Sequence, residues 1–390
     1  MWSGANGWRD ASSVMRAQAL YFSRMSNCRS VVLLLPMLVH ACFGQVAVPY
    51  TTASGQFGVF RNGRFEELEQ RRPQVVFPNG PKVAYISDQG ELRGWDDGQL
   101  LNYQRGEPVD VKTSRGLLAW KQGERLLYAG ISGPKTLCHD AGEFTVQDSL
   151  VAYHNEVERT LCVYWRGQVT PLADVLMASE APQWQAGSNT LTFYNRDARH
   201  VVLFYRGTTH ILCENVDYAR VSPGGDVVAY MDDSDDTFRV FDHGDRIDIE
   251  PFAPIDFRAG LGIVGYTSAT AALRCYADHK VYSLTEFMPT AYYVQDSVIT
   301  WVENGQWKTL NAGKVETLER FVPENWQVNG ANIAYQDLNR ELRMYHRGKR
   351  SVITKEAGVK SFELHGDAVV WQSNSGTVKV WWKGKVYERY

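Results

Sequence analysis

The feature that most constrains the fold is a short strand-like segment that recurs along the chain. Each copy has an apolar residue, usually a small residue, and then an aromatic residue, and successive aromatic residues are 33 to 40 positions apart. The nine copies are Val83-Ala84-Tyr85, Leu118-Ala119-Trp120, Val151-Ala152-Tyr153, Leu191-Thr192-Phe193, Val228-Ala229-Tyr230, Val264-Gly265-Tyr266, Ile299-Thr300-Trp301, Ile333-Ala334-Tyr335 and Val369-Val370-Trp371. Nine copies in a chain that is only 12% aromatic identify a true internal repeat.

Other short motifs recur at fixed places around each copy. Turn residues precede the strand, as in Asn79-Gly80 and Gly225-Asp226, and these residue types tolerate the positive φ of tight hairpins. A second apolar-aromatic motif follows about twelve residues later and ends at a turn, as in Val163-Tyr164-Trp165-Arg166-Gly167. One more short strand comes next, for example Lys385 to Arg389. Each unit is therefore predicted to hold four short strands, with no room for a helix.

A four-stranded antiparallel unit repeated about every 36 residues predicts an all-β fold, a β-propeller, whose closed ring leaves no long exposed edges. A further copy of the second motif, Val59-Phe60-Arg61-Asn62-Gly63, precedes the first full unit and is interpreted as a two-stranded hairpin. The preferred count is nine blades plus this hairpin, and eight blades, ten blades or two smaller rings remain alternatives. Because no linker composition or charge run marks a boundary, residues 45–390 are predicted to form a single domain.

One unit resembles a known family. The segment from Ser222 to Tyr230, SPGGDVVAY, is similar to the WD40-like repeats of the TolB-type propeller, in which a Ser-Pro-Asp-Gly turn precedes an Ile-Ala-Tyr-like strand. The other eight units keep the strand and lack the Ser-Pro start. The resemblance extends over most of the chain in the repeated strand pattern, but the Ser-Pro motif itself matches in one unit only. It implies a propeller of the bacterial envelope that binds proteins or glycans, and it implies no catalytic residue.

The N-terminal region predicts export. A basic lead after Met25 precedes an apolar run from Val31 to Val39, and small residues follow as far as Gly44. The apolar run is shorter than the about 20 residues that a membrane-spanning helix needs. We therefore expect residues 1–44 to be a signal peptide region, with translation starting at Met25, cleavage after Gly44 and a periplasmic or secreted mature chain without a transmembrane helix. The alternative is a lipoprotein signal with Cys42 as the lipid acceptor.

Composition limits the classes of partner. With 41 basic and 44 acidic residues the chain is nearly neutral, so it has no general field that attracts nucleic acid, and a nucleic-acid partner is not expected. Four cysteines lie beyond the leader and are too widely spaced for a dense disulfide framework, which leaves both disulfides and buried free thiols open. These cysteines are Cys138, Cys162, Cys213 and Cys275.

No motif predicts a metal or a cofactor. The acidic segment from Asp232 to Asp236 offers carboxylates for calcium, but it lacks the glycine and the distal glutamate of a calcium-binding loop, and a solvated hairpin tip is the simpler interpretation. The histidines after the leader fall singly in different units, without the converging spacing of a zinc site. They are His139, His154, His200, His210, His243, His279, His346 and His365. Phosphate-binding glycine motifs are also absent from the sequence, so no cofactor is expected.

No motif predicts a catalytic residue either. Cys138 and His139 are sequence neighbours, and neighbours on a strand point to opposite faces, so they do not form a nucleophile and base. Four tryptophans depart from the repeat and are candidates for exposed contacts, although a structural role is favoured; they are Trp95, Trp165, Trp326 and Trp382. Cations at hairpin tips could form a basic rim, but solvated turns are the simpler account; these are Arg166, Arg206, Arg347 and Lys383.

The sequence therefore predicts an exported noncatalytic propeller, a binding or scaffold module for a protein or polysaccharide partner. The alternative is a glycan-active enzyme, a hydrolase or lyase, with a site at the channel mouth built from acids of several blades. A third hypothesis is a structural closure within a larger complex. No catalytic, cofactor-binding or metal-binding residue is assigned.

Overall fold

Short antiparallel strands succeed one another through all of the chain that the computed structural model describes, namely residues 46–130, 133–174, 183–216, 220–356 and 359–390. These ranges contain 39 strands in ten sheets, and none of their residues is helical. No helix long and apolar enough to cross a membrane occurs in these ranges. The predicted signal peptide, residues 1–44, lies outside the described residues and stays a prediction.

Each sheet is one blade, and the blades are numbered in chain order. Blade 1 consists of β1 (Val48–Thr51), β2 (Phe57–Arg61) and β3 (Arg64–Glu69). Blade 2 consists of β4 (Val75–Asn79), β5 (Lys82–Ile86), β6 (Leu92–Asp96) and β7 (Gln99–Gln104); blade 3 of β8 (Val109–Thr113), β9 (Leu118–Gln122), β10 (Arg125–Gly130) and β11 (Gly133–Cys138); and blade 4 of β12 (Ala141–Val146), β13 (Leu150–Asn155), β14 (Thr160–Trp165) and β15 (Gln168–Asp174).

The other six blades repeat this arrangement. Blade 5 consists of β16 (Trp184–Ala186), β17 (Thr190–Asn195), β18 (His200–Tyr205) and β19 (Thr208–Cys213); blade 6 of β20 (Val221–Pro223), β21 (Val227–Asp232), β22 (Thr237–Asp242) and β23 (Asp245–Glu250); and blade 7 of β24 (Asp256–Ala259), β25 (Ile263–Thr267), β26 (Leu273–Ala277) and β27 (Lys280–Ser283). Blade 8 consists of β28 (Ala291–Gln295), β29 (Val298–Glu303), β30 (Gln306–Asn311) and β31 (Lys314–Glu319); blade 9 of β32 (Trp326–Asn329), β33 (Asn332–Gln336), β34 (Leu342–His346) and β35 (Lys349–Thr354); and blade 10 of β36 (Phe362–His365), β37 (Ala368–Gln372), β38 (Val378–Trp382) and β39 (Lys385–Arg389).

Within every blade the strands pair antiparallel in chain order, and blades 2 to 10 confirm the predicted four-stranded propeller blades. The recurring apolar-aromatic strand is the second strand of each four-stranded blade, and the second motif lies on the third strand. Gly80, Asp226 and Gly366 lie in the turns between first and second strands with φ of 61°, 62° and 58°, as the turn composition predicted. The local pattern of the sequence therefore specifies the hairpins directly.

The core lies between blades and follows the predicted alternation of each second strand. In blade 6, Val228 and Tyr230 pack in one buried cluster with Leu203 of blade 5. Ala229, which points to the other face, packs in a second cluster with Val264 of blade 7. Because side chains alternate along a strand, one short segment contributes to two inter-blade cores.

The turns that begin the second strands link adjacent blades through the backbone. The amide of Gly225 donates to the carbonyl of Gly260 at 2.8 Å, and the amide of Leu261 donates to the carbonyl of Asp296 at 2.6 Å. This close approach explains why small residues recur at these turns. A Cβ on Gly224 would lie 2.2 Å from the Gly260 oxygen, so no larger residue fits there without movement.

The preferred count of nine blades plus a hairpin was wrong, because the N-terminal segment forms a third strand and a tenth blade. Its strand β1 pairs with β2 over Val48 to Thr51. Val48 and Tyr50 pack in a cluster with Val370 of blade 10, and Phe57 packs with Tyr85 of blade 2. Blade 1 therefore joins the last blade to the second and closes the ring at ten blades, one of the alternative counts.

Candidate functional site: a groove at the incomplete blade

The first strands of blades 2 to 10 lie at the inner edge of the ring, and we call them the inner strands. Side chains of one inner strand reach the backbone of the next. Lys112 of blade 3 donates to the carbonyl of Phe144 in blade 4 at 2.8 Å. Ser222 of blade 6 accepts from the amide of Ala259 in blade 7 at 2.9 Å. Bonds of this kind join the inner strands of blades 3 and 4, 6 and 7, and 9 and 10.

Blade 1 interrupts this series of inner strands. Its strands β1, β2 and β3 correspond to the second, third and fourth strands of the other blades, because Tyr50 matches the recurring aromatic residue and β2 carries the second motif. Among the described residues no strand pairs with the other edge of β1. Within the described residues, the inner edge of the ring therefore has an open position between the inner strands β36 of blade 10 and β4 of blade 2.

A cavity of about 580 Å³ occupies this open position, and we call it the blade-1 groove. Its walls include Tyr50 and Phe57 of blade 1, Val76 and Pro78 of blade 2, and Phe362 and Trp371 of blade 10. These residues are far apart in the sequence, so no linear motif signals the site. The aromatic side chains among them are largely buried, and polar groups make up most of the exposed surface of the cavity.

The open edge of β1 presents backbone hydrogen-bonding groups to the groove. The amide of Thr52 donates to the carbonyl of Gln56 on the β2 side at 2.9 Å. Because successive residues of a strand direct their backbone groups to opposite edges, the N–H and C=O of Thr51 and the C=O of Pro49 point to the open edge. Three backbone groups are thereby available to a ligand in an extended conformation.

One carboxylate, Glu363, stands among the described residues that line the groove. His365 contacts it through Nε2 at 3.0 Å, and this hydrogen bond lowers the pKa of the Glu363 carboxyl. The groove therefore keeps a hydrogen-bond acceptor with a negative charge at neutral pH. Arg72 and Gln74 on the blade 2 side supply donors to the same cavity.

The acidic segment is an ion-pair cluster around one guanidinium. Arg239 contacts Asp232 and Asp235 and lies 2.7 Å from Asp248. The hydrogen bond from Arg239 lowers the pKa of the Asp235 carboxyl. Within the described ranges no group of three or more His, Cys, Asp or Glu side chains has the geometry of a metal site. The sequence analysis did not single out Arg239. Arg239 lies seven residues after Asp232, on the strand that pairs with the strand of Asp232.

Two of the scattered histidines meet at one buried carboxylate. Asp242 is 5% exposed, and its Oδ1 lies 2.5 Å from His243 Nδ1. Its other oxygen accepts from the Tyr276 hydroxyl at 2.6 Å and lies 3.2 Å from His279 Nδ1. The repeat brings His243 and His279 together because they occupy equivalent turns of neighbouring blades. The aspartate between them belongs to no motif of the sequence analysis.

The four cysteines within the described residues are free and buried, so the sequence alternatives resolve in favour of buried thiols. Burial raises the pKa of the Cys138 thiol, that of Cys162 to about 11 and that of Cys213 to about 12. A thiol with a raised pKa is a poor nucleophile at neutral pH. Cys138 donates to the backbone oxygen of Asp140 at 3.3 Å.

The tryptophans that depart from the repeat mostly pack between blades. Trp95 is 1% exposed. Trp326 packs against Trp307 with ring centroids 5.5 Å apart, and Trp382 packs against Phe60 across the ring closure at 6.2 Å.

Three of the four cations at the hairpin tips, Arg166, Arg206 and Lys383, lie over neighbouring aromatic rings. Arg166 lies over the Trp165 ring at 4.9 Å, and Lys383 lies over Trp382 at 4.3 Å. Arg206 lies over Tyr205 at 5.0 Å. These cation–π contacts give the turn cations local partners.

Ten antiparallel sheets form one closed ring, with a groove at the incomplete blade 1. This arrangement defines a β-propeller of unusually high blade number. The chain belongs to the family described as "10-bladed beta propeller domain", whose model matches residues 43–387. A comparison with curated proteins gave no match.

Solved structures match this chain at low similarity. The computationally designed Ika8 protein has 14% identity and a TM-score of 0.36, with 87% of this chain and 100% of that chain covered. The tricorn protease has 10% identity and a TM-score of 0.31, with 87% of this chain and 45% of that chain covered. Apo AztD from Citrobacter koseri has 12% identity and a TM-score of 0.33, with 69% and 93% covered. Scores this low support no inference about function.

Proposed function

We propose that this protein is an exported, noncatalytic binding module of the bacterial envelope, a propeller of the WD40-like TolB type that binds a protein or glycan partner. The observation that carries the proposal is the blade-1 groove. It combines a cavity of about 580 Å³ with a strand edge that pairs with no other described strand, at one place on a ring that is otherwise regular. A concave site with a few convergent polar groups is the usual form of a ligand-binding site.

The location rests on the N-terminal sequence. The basic lead, the apolar run from Val31 to Val39 and the small residues up to Gly44 support export to the periplasm or beyond. A lipid anchor at Cys42 is the alternative form of the same proposal. Mass spectrometry of the N-terminus of the exported protein distinguishes cleavage after Gly44 from a lipid-modified Cys42.

The groove favours binding over glycoside hydrolysis. Hydrolysis of a glycoside generally uses two carboxyl groups about 5 to 10 Å apart. Among the described residues that line the groove, Glu363 supplies the single carboxylate. A binding role requires no second acid, so it accounts for the groove more simply than the enzyme hypothesis does.

The test is capture of a partner from envelope extract by the wild-type protein and by a variant with a blocked groove. Gln74→Trp adds a large side chain at the groove wall, where Gln74 is exposed. The matched control is Gln185→Trp, the same substitution at an exposed position of the inner strand of blade 5. We expect one stoichiometric partner with the wild type and the control, and at least tenfold less with Gln74→Trp. Equal recovery by all three proteins, or no partner with any of them, would contradict the proposal.

A further inference from the structure

We propose that the blade-1 groove binds an extended segment of a partner protein, which takes the place of the missing inner strand of blade 1. This inference rests on the proposed function and specifies the ligand of the same site. It predicts main-chain pairing with β1, a recognition mode in which backbone bonds give affinity and alternate side chains give specificity.

The register of the other blades defines the shape of the missing strand. In blades 2, 6 and 10 one inner-strand residue pairs with the second-strand residue five positions later, namely Pro78 with Val83, Pro223 with Val228 and Leu364 with Val369. The same register in blade 1 places three ligand residues opposite Tyr50, Pro49 and Val48. The groove is therefore the size of a short strand and lies in line with the other inner strands.

The first of these ligand residues is expected to be large and apolar. In eight blades the inner-strand residue opposite the recurring aromatic residue has a large or β-branched apolar side chain. These residues are Val76, Phe144, Trp184, Val221, Phe257, Tyr292, Trp326 and Phe362. In blade 1 this place is opposite Tyr50 and is bordered by Phe57 and Trp371, so an aromatic side chain fits it.

The second ligand residue is expected to donate a hydrogen bond to blade 2. In blade 9 the equivalent residue, Gln327, donates to the carbonyl of Phe362 in blade 10 at 2.8 Å, and Lys112 donates to Phe144 in the same way. The corresponding carbonyl beside the groove belongs to Val76. A Gln, Lys or Arg at the middle position therefore matches the bonding of the complete blades.

The third ligand residue is expected to donate its backbone amide to Glu363. Gln327 accepts from the amide of Leu364 at 2.8 Å, and Ser222 accepts from the amide of Ala259 at 2.9 Å. Glu363 occupies the same middle position in the inner strand of blade 10 as Gln327 in blade 9 and Ser222 in blade 6. The inner strand that would follow Glu363 around the ring is that of blade 1, whose place the ligand takes. Its exposed carboxylate, whose pKa is lowered, is suited to accept this N–H.

The preceding part of the chain fits this position poorly. Counting back from Val48 by the same register reaches Ala41, Cys42 and Phe43, which lie outside the described residues. Alanine would stand where the eight blades have a large or β-branched apolar residue, and the predicted cleavage after Gly44 removes all three. The inner-strand pattern of the complete blades therefore favours a segment of a partner protein over residues 41–43 of this chain as the ligand of the groove.

Pro49 marks β1 as an edge strand. The equivalent second-strand residues Ala84, Ala229 and Ala334 each pair with an inner strand, whereas proline has no N–H to donate. Proline within a sheet is confined to edges and bulges. A permanently paired strand at this place would lose one backbone bond, while a reversible ligand still finds the C=O of Pro49 and both groups of Thr51.

The test uses a fluorescent peptide with the sequence of Asn325 to Gly330, NWQVNG, and the exported protein with its native N-terminus. We expect saturable binding in fluorescence anisotropy, weakened at least tenfold when the peptide's tryptophan is replaced by alanine. Glu363→Ala should weaken binding at least fivefold. The matched control, Ser222→Ala, removes the equivalent side chain between blades 6 and 7 and should leave peptide binding unchanged.

The outcomes separate this inference from the proposed function. Saturable binding with the expected dependence on Glu363 supports the inference. Absence of peptide binding, with partner capture still abolished by Gln74→Trp, overturns the inference and leaves the proposed function standing. Retention of residues 41–43 in the exported chain, with the Thr51 amide protected before any peptide is added, also overturns it. Peptide binding without groove-dependent partner capture contradicts the proposed function alone.

Discussion

At the residue scale, the recurring aromatic residue of the second strand both fills the core and links adjacent blades. Tyr335 donates its hydroxyl to Glu319 of the preceding blade at 2.8 Å, and Tyr266 donates to Glu250 at 2.9 Å, each across 16 residues of sequence. Tyr230 occupies the same place and is also fully buried, but its hydroxyl has no hydrogen-bond partner among the described residues. Tyr335 and Tyr266 therefore have a hydroxyl hydrogen bond that Tyr230, at the equivalent position, lacks among the described residues.

This difference predicts opposite results for one substitution at two places. Tyr335→Phe removes a hydrogen bond to a carboxylate and should lower the free energy of unfolding by about 1.5–3 kcal/mol. Tyr230→Phe removes an unsatisfied buried hydroxyl and should leave the stability unchanged or raise it. Urea denaturation of both variants measures the effect. A similar loss of stability in the two proteins would mean that Tyr230 has a partner.

The aromatic positions were predictable because a single strand pattern specifies them. Their hydroxyl partners were not, since Glu319 and Glu250 lie on the last strands of other blades and belong to no motif. Gly224 shows the same limit. Its place in a turn was evident from SPGGD, but its contact with the Gly260 carbonyl depends on the packing of two blades.

At the element scale, most strands were predicted and one was missed for a physical reason. Each second strand has a turn signal before it and a fixed motif after it. Strand β1 has four residues and includes Pro49, and the glycine six positions before Tyr50, Gly44, was assigned to the predicted signal peptide region. The adjacent hairpin, β2 and β3, was found from its second motif. Without β1 the blade count was short by one.

The hairpin after Met231 gives a prediction at this scale. The Arg239 side chain is 17% exposed and neutralises Asp232, which is 12% exposed, together with two further aspartates. Arg239→Gln leaves the nearly buried Asp232 carboxylate without its cation, so the free energy of unfolding should fall by about 1.5–3 kcal/mol.

The control for that substitution is Arg206→Gln. Arg206 pairs with Asp226 at 3.1 Å, but its side chain is 57% exposed. Exposed ion pairs contribute about 1 kcal/mol or less, so the control should be nearly neutral. Chemical denaturation at low and high salt measures both variants. A neutral Arg239→Gln would show that the acidic segment does not need this cation.

At the scale of the whole molecule, the ring closes by side-chain packing where blade 10 meets blade 1. Phe60 packs against Tyr387 with ring centroids 5.1 Å apart, and Arg389 pairs with Glu67 at 3.3 Å. The repeat predicted a closed propeller, and the chain's membership of the ten-bladed family agrees with the structure. The groove could not be predicted, because it lies where the described residues lack one strand of a regular series and its walls come from three separated segments.

The central claim is that β1 has an open edge that pairs with an extended ligand, and hydrogen exchange at the Thr51 amide tests it most directly. Ile86 is the internal reference, since it is the equivalent residue of blade 2 and pairs with Val75 of the inner strand. We expect the Thr51 amide to exchange fast in the free protein and at least tenfold more slowly with saturating NWQVNG peptide, while Ile86 stays protected throughout. A Thr51 amide that is protected before the peptide is added, or that is unaffected by it, would contradict the account.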